Sequence, residues 1–287
     1  MKTRMFAVCA VILLFCGVAH ADLNDGLVAY YPFNGSAIDE SGSGNNGTVN
    51  GAALTVDRFG KPDSAYSFDG VNNSISIPDS ASLDVITHFS LTAWVFIKGP
   101  NSGYPDQAII SKVGGSSGNN GYQLALESPT SSGASVGLAF NSEGESWPAN
   151  YLKAGNVPLN KWTYLTGIYD YNELKIYING ILAGAKIIGA KNVVNSRSML
   201  RISGDDNMHA YVNGYIDDVR IYNRSISESE IQQLYRGGTC SSEIVKFTAG
   251  TPAKAADVNA NFDALNCQIQ ALKAIVCKNE PTASVCQ

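Results

Sequence analysis

Aromatic side chains in polar surroundings are the residues of this chain best suited to bind a ligand. Trp147 lies in the polar segment NSEGESWPANY, which ends at Tyr151. An exposed ring can pack against the apolar face of a pyranose, so these two side chains, together with Tyr104, could form a sugar-stacking surface. The alternative is that Trp147 folds under its own loop. The sequence therefore makes Trp147, Tyr151 and Tyr104 candidate ligand-binding residues.

Two loops combine carboxylates, amides and glycines, a composition typical of loops that bind a cation through oxygen atoms. Residues 39–47 read DESGSGNNG, and residues 204–207 read GDDN. Ca²⁺ takes its ligands from carboxylates, amides and backbone carbonyls. The first loop is therefore a candidate calcium loop, and the second offers an ion or small ligand the side chains of Asp205, Asp206 and Asn207. The alternatives are an Asx turn in the first loop and a solvated turn in the second.

A further carboxylate lies inside an apolar strand pattern. In the segment 214–235, GYIDDVRIYNRSISESEIQQLY, Val219 and Ile221 alternate with polar residues as in a half-buried strand, and Asp217 shares their parity. A buried carboxylate must accept hydrogen bonds or bind a cation, because an unpaired buried charge is costly. After this strand, the spacing of Ser227 and Glu230 predicts a capping box and a short helix.

The acidic and nucleophilic residues give little support to catalysis. Residues 114–118 match GxSxG, but the loop runs into another strand, whereas a nucleophile elbow needs a strand-to-helix turn and a histidine partner. After the N-terminal segment, only His88 and His209 occur, each alone in its neighbourhood. We therefore expect the protein not to be an enzyme. A glycosidase would need two carboxylates across a cleft, and the candidates for such a pair are Glu127, Glu143 and Glu145.

Short apolar runs separated by Gly, Asn, Ser and Asp clusters extend from residue 22 to residue 222. Examples are LVAYYPF, SLTAWVFI, YQLALE, WTYLTGIYD and LKIYINGI. Runs of this length, with no helical period between them, predict an all-β antiparallel sandwich. Asn179 and Gly180 form a predicted hairpin turn. Trp94 and Trp162 fall inside strand-like runs and are predicted to be core residues.

Several segments resemble, in order, the LamG-like jelly-roll family, also called concanavalin A-like lectin/glucanase domains. They are GLVAYYPFNGSAIDESGSGNNGT, SFDG, LTAWV, Trp162, LKIYINGI and the segment 214–235. The resemblance implies a jelly-roll β-sandwich over residues 22–238 and a role in sugar binding, adhesion or support of an enzyme. It also implies a structural calcium ion that joins the first acidic loop to the last strand. Its side-chain ligands would be Asp39 and Asp217, with an oxygen from Asn45 or Asn46.

The N-terminus has the pattern of a secretory signal. Lys2 and Arg4 precede an apolar run shorter than a membrane span, and Ala19-His20-Ala21 is a small-x-small cleavage site. Removal of residues 1–21, which include two basic ones, leaves 266 residues and changes the formal charge from −5 to −7. An acidic balance disfavours nucleic-acid binding. We predict a secreted or cell-surface protein with no membrane span after cleavage.

Residues 239–287 contain all the cysteines that follow the signal. An even number of cysteines in an exported chain predicts two disulfides, here among Cys240, Cys267, Cys277 and Cys286. A helix rises about 1.5 Å per residue, so Cys267 and Cys277 cannot pair within one intact helix. Pairing 240–267 with 277–286 is favoured over 240–277 with 267–286, because the loop at Pro281 brings Cys286 back to Cys277.

The same tail carries apolar residues at heptad steps. They are Val258, Phe262, Leu265, Ile269, Leu272 and Val276. A seam of this period predicts an α-helical coiled coil, and hence a homo-oligomer, most simply a trimer, held together through the C-terminal helix. The alternative is a single amphipathic helix that lies on the sandwich or in a disulfide-bonded hairpin.

These features predict an exported, non-catalytic module that binds carbohydrate, in which linked copies increase avidity. Its partner would be a glycan or a surface protein. The alternative is a structural or adhesive module that binds protein without sugar, and a glycan-cleaving enzyme is the less favoured reading. Convergence of Trp147 with the tyrosines would favour sugar, whereas an apolar face poor in tryptophan would favour protein.

Overall fold

The computed structural model describes residues 22–101, 103–114, 120–145, 147–205 and 209–237. The predicted signal (1–21) and the predicted disulfide-bonded helical tail (239–287) lie outside these residues, so both stay predictions. Within the described chain, no helix is long and apolar enough to cross a membrane.

The described residues form short strands, as the apolar runs predict, with one 3₁₀ turn (Ala81–Leu83) and one α-helix, α1 (Glu228–Tyr235). The strands are β1 Leu27–Tyr31, β2 Thr48–Asn50, β3 Ala53–Thr55, β4 Ala65–Asp69, β5 Ser74–Ile77, β6 Phe89–Ile97, β7 Gln107–Ser111, β8 Tyr122–Thr130, β9 Gly133–Phe140, β10 Asn150–Val157, β11 Trp162–Tyr169, β12 Glu173–Ile178, β13 Ile181–Ile187, β14 Leu200–Ile202 and β15 Asn213–Tyr222.

Across the described residues, these strands make two antiparallel sheets. The eight-stranded sheet has the order β13-β12-β11-β6-β15-β4-β3, with β1 paired to β15. The seven-stranded sheet has the order β10-β9-β8-β7-β14-β5-β2. The predicted all-β, antiparallel jelly-roll sandwich is confirmed.

The main core lies between the two sheets and follows the period of two along each strand. On β6, the alternate residues from Phe89 to Ile97 point into it, and on β8 the residues Tyr122, Leu124 and Leu126 do so. The intervening residues lie on the outer face of each sheet. This alternation leaves two outer faces whose residues decide what the sandwich can bind.

Helix α1 covers part of the outer face of the eight-stranded sheet. Ser227 caps it in the predicted capping box with Glu230, a device worth about 1 kcal/mol. Ile231 and Leu234 of the helix pack in a second apolar cluster with Trp94 and Tyr164. Trp94 is therefore buried as predicted, but under the helix and not between the sheets.

The prediction that Trp162 is a core residue is wrong, because the side chain is only partly buried. Trp162 is half-buried on the outer face of the eight-stranded sheet, where β11, β6 and β15 place it beside Phe96 and Tyr215. Ring centroids of Trp162 and Phe96 are 5.9 Å apart, and those of Phe96 and Tyr215 are 5.2 Å apart. We call these three rings the Trp162 stack.

The strand parity predicted for Asp217 is also wrong. Asp217 pairs with Trp94 on the outer face, whereas Ile216 and Val219 belong to the main core. The cause is a β-bulge between Asp217 and Arg220, in which Asp218 adopts a φ of 51°. One extra residue in a strand reverses the faces of the residues on either side, and a parity count cannot detect it.

Candidate functional site

A cavity of about 490 Å³ lies on the outer side of the seven-stranded sheet. We call it the acidic cleft. Aromatic, acidic and small residues line it: Tyr104, Asp106, Ala108, Gln123, Ala125, Glu127, Ala139, Trp147, Pro148, Tyr151, Asp205 and Ala210. Its volume falls in the range of ordinary small-molecule sites.

The floor of the acidic cleft is low because small residues meet there on neighbouring strands. Ala108 of β7 pairs with Ala125 of β8, which in turn pairs with Gly137 of β9. Ala139 lies two residues further along β9, opposite Gln123. Side chains on one sheet face stand side by side across strands. A patch of alanine and glycine therefore forms a depression between taller neighbours.

One wall of the cleft is the loop that leads into β7 and carries Tyr104. The Asn101 amide donates to the carbonyl of Asp106 over 3.0 Å and to the carbonyl of Tyr211 over 2.9 Å. The first hydrogen bond joins the two ends of the loop, and the second joins the loop to the segment before β15. Tyr104 is thereby held half-buried at the edge of the cavity.

The opposite wall is the loop between β9 and β10, which carries Trp147. Glu145 fixes this loop, because its carboxylate accepts a hydrogen bond from the Asn150 amide over 2.9 Å and contacts the Ser142 hydroxyl and the Lys191 ammonium. The ion pair with Lys191 is the leading cause of the lowered pKa of Glu145. Trp147 is half-buried and lines the cleft.

Glu127 has a perturbed pKa, a property typical of carboxylates that bind ligands or transfer protons. Burial raises the pKa of Glu127, and the nearby carboxylate of Asp106 raises it further. Tyr151 and Lys153 act in the opposite direction, through a side-chain hydrogen bond and a positive charge respectively. The same cluster acts on Tyr104, whose pKa is raised by burial and then by the neighbouring carboxylates.

The candidate ligand-binding residues come together to a large extent. Trp147, Tyr151, Tyr104 and Asp205 all line the acidic cleft. Asp205 is buried, and its Oδ1 accepts the His209 amide over 3.2 Å. The other two candidates of that loop, Asp206 and Asn207, lie outside the described residues. Whether these residues bind a ligand stays a prediction.

The site contains residues that the sequence pattern does not predict. Asp106 and Gln123 line the cleft without belonging to the predicted set, and Tyr151, predicted in a polar segment, lies on β10. One signal was present: small residues at alternate positions, Gly137 and Ala139, on the polar face of an otherwise apolar strand. Such a pattern indicates a depression in the sheet surface.

The residues weighed for catalysis do not converge. Of Glu127, Glu143 and Glu145, only Glu127 lines the cleft. Glu143 is exposed, and Glu145 holds the Trp147 loop in place. Most of the GxSxG match, residues 115–118, lies outside the described residues.

The predicted calcium ligands all have protein partners. Asp39 accepts the backbone amides of Tyr30 and Asn45 over 3.0 and 2.9 Å. The Asn45 and Asn46 side-chain oxygens accept bonds from the Ser80 hydroxyl and from the Asp39 amide. Among the described residues, no group of three or more His, Cys, Asp or Glu side chains is placed to hold a metal ion. This geometry gives the calcium ion no support, and it stays a prediction.

The cation beside Asp217 is Arg58. Its guanidinium bridges Asp217 over 2.6 Å and Asp218 over 2.7 Å, and all three side chains are largely buried. Burial and the charge of Asp218 raise the pKa of Asp217. Burial would also raise the pKa of Asp218, but Arg220 and Arg58 lower it below its usual value. Arg58 therefore supplies the positive charge that a buried carboxylate pair requires.

Known structures share this fold at low sequence identity. The binding domain of Paraclostridial Mosquitocidal Protein 1 superposes with a TM-score of 0.60 and 19% identity over 78% of this chain and 55% of that one. Domain 4 of AbnA, an extracellular arabinanase from Geobacillus stearothermophilus in complex with arabinotriose, superposes with a TM-score of 0.53. Its sequence identity is 19%, over 73% of this chain and 98% of that one. The binding domain of botulinum neurotoxin DC in complex with rat synaptotagmin II superposes with a TM-score of 0.52 and 16% identity, over 75% of this chain and 52% of that one.

These likenesses concern the fold, and the chain spans about half the length of the two toxin binding domains. All three structures are described as domains of larger proteins, two of them as binding domains. No curated protein matches the sequence.

A family model described as the concanavalin A-like lectin/glucanases superfamily matches residues 69–232. The match covers more than half of the chain. It includes the strands that build the acidic cleft and the first part of helix α1, up to residue 232. The chain belongs to the concanavalin A-like lectin/glucanase superfamily.

Proposed function

We propose that this protein is an exported, non-catalytic module that binds a carbohydrate in the acidic cleft. The observation that carries the proposal is the convergence of Tyr104, Trp147 and Tyr151, from two loops and one strand, on one cavity. Rings at these positions can pack against the apolar faces of sugar rings.

The polar groups of the cleft suit a hydroxylated ligand. Gln123, Asp106 and Glu127 lie on or beside the sheet, which is a rigid support, and a carboxylate or amide can accept or donate several hydrogen bonds. A few polar groups set among apolar surface are the usual composition of a specific small-ligand site. A short oligosaccharide fits this description. Domain 4 of the arabinanase AbnA, which has the same fold, is in complex with arabinotriose.

A non-catalytic role is supported by the arrangement of the acids. A glycosidase needs an acid and a second carboxylate on opposite sides of the scissile bond. Asp106 and Glu127 instead lie at the end of one strand pair, and Asp106 Oδ1 accepts the Ser128 amide over 2.8 Å. The superfamily contains glucanases by its name, so the test below includes a search for cleavage.

The Trp162 stack favours a second candidate function, the binding of a protein. Phe96, Trp162 and Tyr215 form a half-exposed aromatic surface on the other sheet, and aromatic residues are enriched in protein interfaces. A toxin binding domain with this fold is in complex with synaptotagmin II. We prefer the carbohydrate because the three rings of the acidic cleft line a cavity of about 490 Å³ together with polar groups.

The test is a glycan array probed with the purified full chain, and with two tyrosine variants. We expect selective binding by the wild type, loss of signal for Tyr104→Ala, and retention for Tyr215→Ala, which alters the Trp162 stack instead. Mass spectrometry of the bound glycan after long incubation should find it intact. A blank array, or equal signals from both variants, would overturn the proposal. Capture of a surface protein that Tyr215→Ala abolishes would support the second candidate function.

A further inference from the structure

The polar lining of the acidic cleft carries one sign of charge. Asp106, Glu127 and Asp205 line it, and none of the described lining residues is a lysine or arginine. Lys153 of β10 lies near enough to act on Glu127 from outside that lining. A cavity lined by one sign of charge raises the local concentration of ligands of the opposite sign.

Two of these carboxylates are neighbours across a strand pair. Gln107 pairs with Leu126 across β7 and β8, so Asp106 and Glu127 face each other one position further. The Ser128 amide and hydroxyl donate to Asp106 Oδ1 over 2.8 and 3.4 Å, which fixes that carboxylate against the end of β8. Like charges at facing positions are destabilising. A bound cation would remove this repulsion.

The aromatic walls suit the same kind of ligand. A cation within about 6 Å of a ring centroid is attracted to the ring face, most strongly by tryptophan. Trp147, Tyr104 and Tyr151 line the cavity that the carboxylates face. A ligand that joins an ammonium group to a ring with an apolar face would use both the carboxylates and the rings.

We propose that the acidic cleft selects a cationic amino sugar, in which the protonated amino group lies between Asp106 and Glu127 and the sugar ring packs on the aromatic wall. This inference rests on the proposed carbohydrate function. It adds a ligand class, because a neutral sugar brings no positive charge to the two facing carboxylates, and Lys153 acts on Glu127 only from outside the lining. A charge-assisted hydrogen bond contributes about 1.5–3 kcal/mol, which corresponds to roughly tenfold to a hundredfold in affinity.

The experiment compares two tetrasaccharides of the same linkage by titration calorimetry with the full chain: one of glucosamine, and one of N-acetylglucosamine. Both titrations are made in EDTA, at a pH at which the free amine is protonated, and at low and physiological ionic strength. We expect tighter binding of the glucosamine ligand, by about tenfold or more, and a loss of part of that preference at the higher ionic strength.

Glu127→Gln and Asp106→Asn should each remove most of the preference, measured as the ratio of the two affinities in the same variant. Glu143→Gln, an exposed acid outside the cleft lining, serves as the matched control and should keep the preference. Equal binding of the two tetrasaccharides would overturn this inference and leave the proposed function intact. If neither binds while neutral glycans bind on the array, the inference also fails. No binding of any sugar would remove the proposed function as well.

Discussion

The carboxyl group of Glu127 occupies the space in which a side chain at Gly137 would lie. A Cβ built at Gly137 collides with the Glu127 carboxylate and lies 3.0 Å from its Cγ. The two residues belong to neighbouring strands, β8 and β9, and both lie on the sheet face that forms the floor of the acidic cleft. The absence of a side chain at residue 137 therefore allows Glu127 to lie flat beside the cavity.

Gly137→Ala should displace Glu127 and weaken ligand binding with little loss of stability. The atoms that must move are the end of a flexible side chain, so the free energy of unfolding should fall by less than the 1–3 kcal/mol typical of overpacking in a core. The affinity for a glycan that binds the wild type should fall by roughly tenfold, as for one lost charged hydrogen bond. Calorimetry and thermal melts measure the two quantities.

A double-mutant cycle is the control for this substitution. In a Glu127→Ala background there is no carboxylate to displace, so Gly137→Ala should have almost no further effect on affinity. Additive losses in the double variant would mean that Gly137 acts through the strand and not through Glu127.

Glu127→Gln should stabilise the protein at neutral pH. Burial and Asp106 raise the pKa of Glu127 above its ordinary value of 4.5 in the unfolded chain. At pH values between 4.5 and the raised pKa of Glu127 in the folded protein, the folded state binds more protons than the unfolded state. The free energy of unfolding therefore falls as pH rises through this range. The neutral amide avoids that loss. The variant should therefore melt higher than the wild type at neutral pH, with a difference that shrinks as pH falls through this range and is lost below 4.5.

Glu143→Gln is the comparison for the pH series, because Glu143 is exposed and outside the cleft. Its melting curve should follow that of the wild type. If Glu127→Gln melts at or below the wild-type temperature at neutral pH, the carboxylate of Glu127 contributes stability and its repulsion from Asp106 is not significant.

Lys191→Met should loosen the Trp147 loop without unfolding the protein. Lys191 pairs with Glu145, and both side chains are about one-third exposed. Such a pair contributes only about 0–1 kcal/mol to stability. The melting temperature should barely change, but the glycan affinity should fall by about two- to fivefold because the ring of Trp147 is held less firmly.

Lys175→Met is the matched variant for this loop. Lys175 pairs with Asp170 over 3.0 Å at a similar exposure, on β12 of the other sheet. It should cause a similarly small change in melting temperature and no change in affinity. Equal affinities for the Lys191 and Lys175 variants would show that the pair with Glu145 does not position Trp147.

Arg58→Ala should be strongly destabilising. The substitution leaves Asp217 and Asp218 buried without the guanidinium that bridges them. Removal of one partner of a buried ion pair costs about 3–5 kcal/mol. Chemical denaturation should show this loss, whereas Arg197→Ala, at an exposed arginine, should change stability by less than about 0.5 kcal/mol.

The same melts with EDTA separate the two cations considered for Asp217. If Arg58 is the counter-charge, EDTA should leave the melting temperature of the wild type unchanged. A clear drop in EDTA would instead support the calcium ion predicted for Asp39 and Asp217.

The fold could be predicted further than the site. Period-two apolar runs and turn residues such as Asn179 and Gly180, which take φ values of 51° and 76°, are local features that the sequence states directly. The capping box of Ser227 and Glu230 is equally local. These predictions were confirmed because each depends on a few consecutive residues.

The acidic cleft depends instead on which strands are neighbours. Trp147, Tyr151 and Tyr104 could be chosen for their ring chemistry, but the facing positions of Asp106 and Glu127 follow from the register of β7 and β8. The β-bulge at Asp218 likewise places Asp217 on the outer face of the sheet, where a parity count does not predict it. Register and bulges are set by tertiary packing, and a single sequence does not contain them explicitly.

The most direct test of the central claim compares the two half-buried tryptophans, one in the acidic cleft and one in the Trp162 stack. Titration calorimetry with the strongest ligand from the glycan array would be made on the wild type, on Trp147→Ala and on Trp162→Ala. We expect Trp147→Ala to abolish measurable binding and Trp162→Ala to bind as the wild type does. Full binding by Trp147→Ala together with loss in Trp162→Ala would contradict the account and move the binding site to the other sheet.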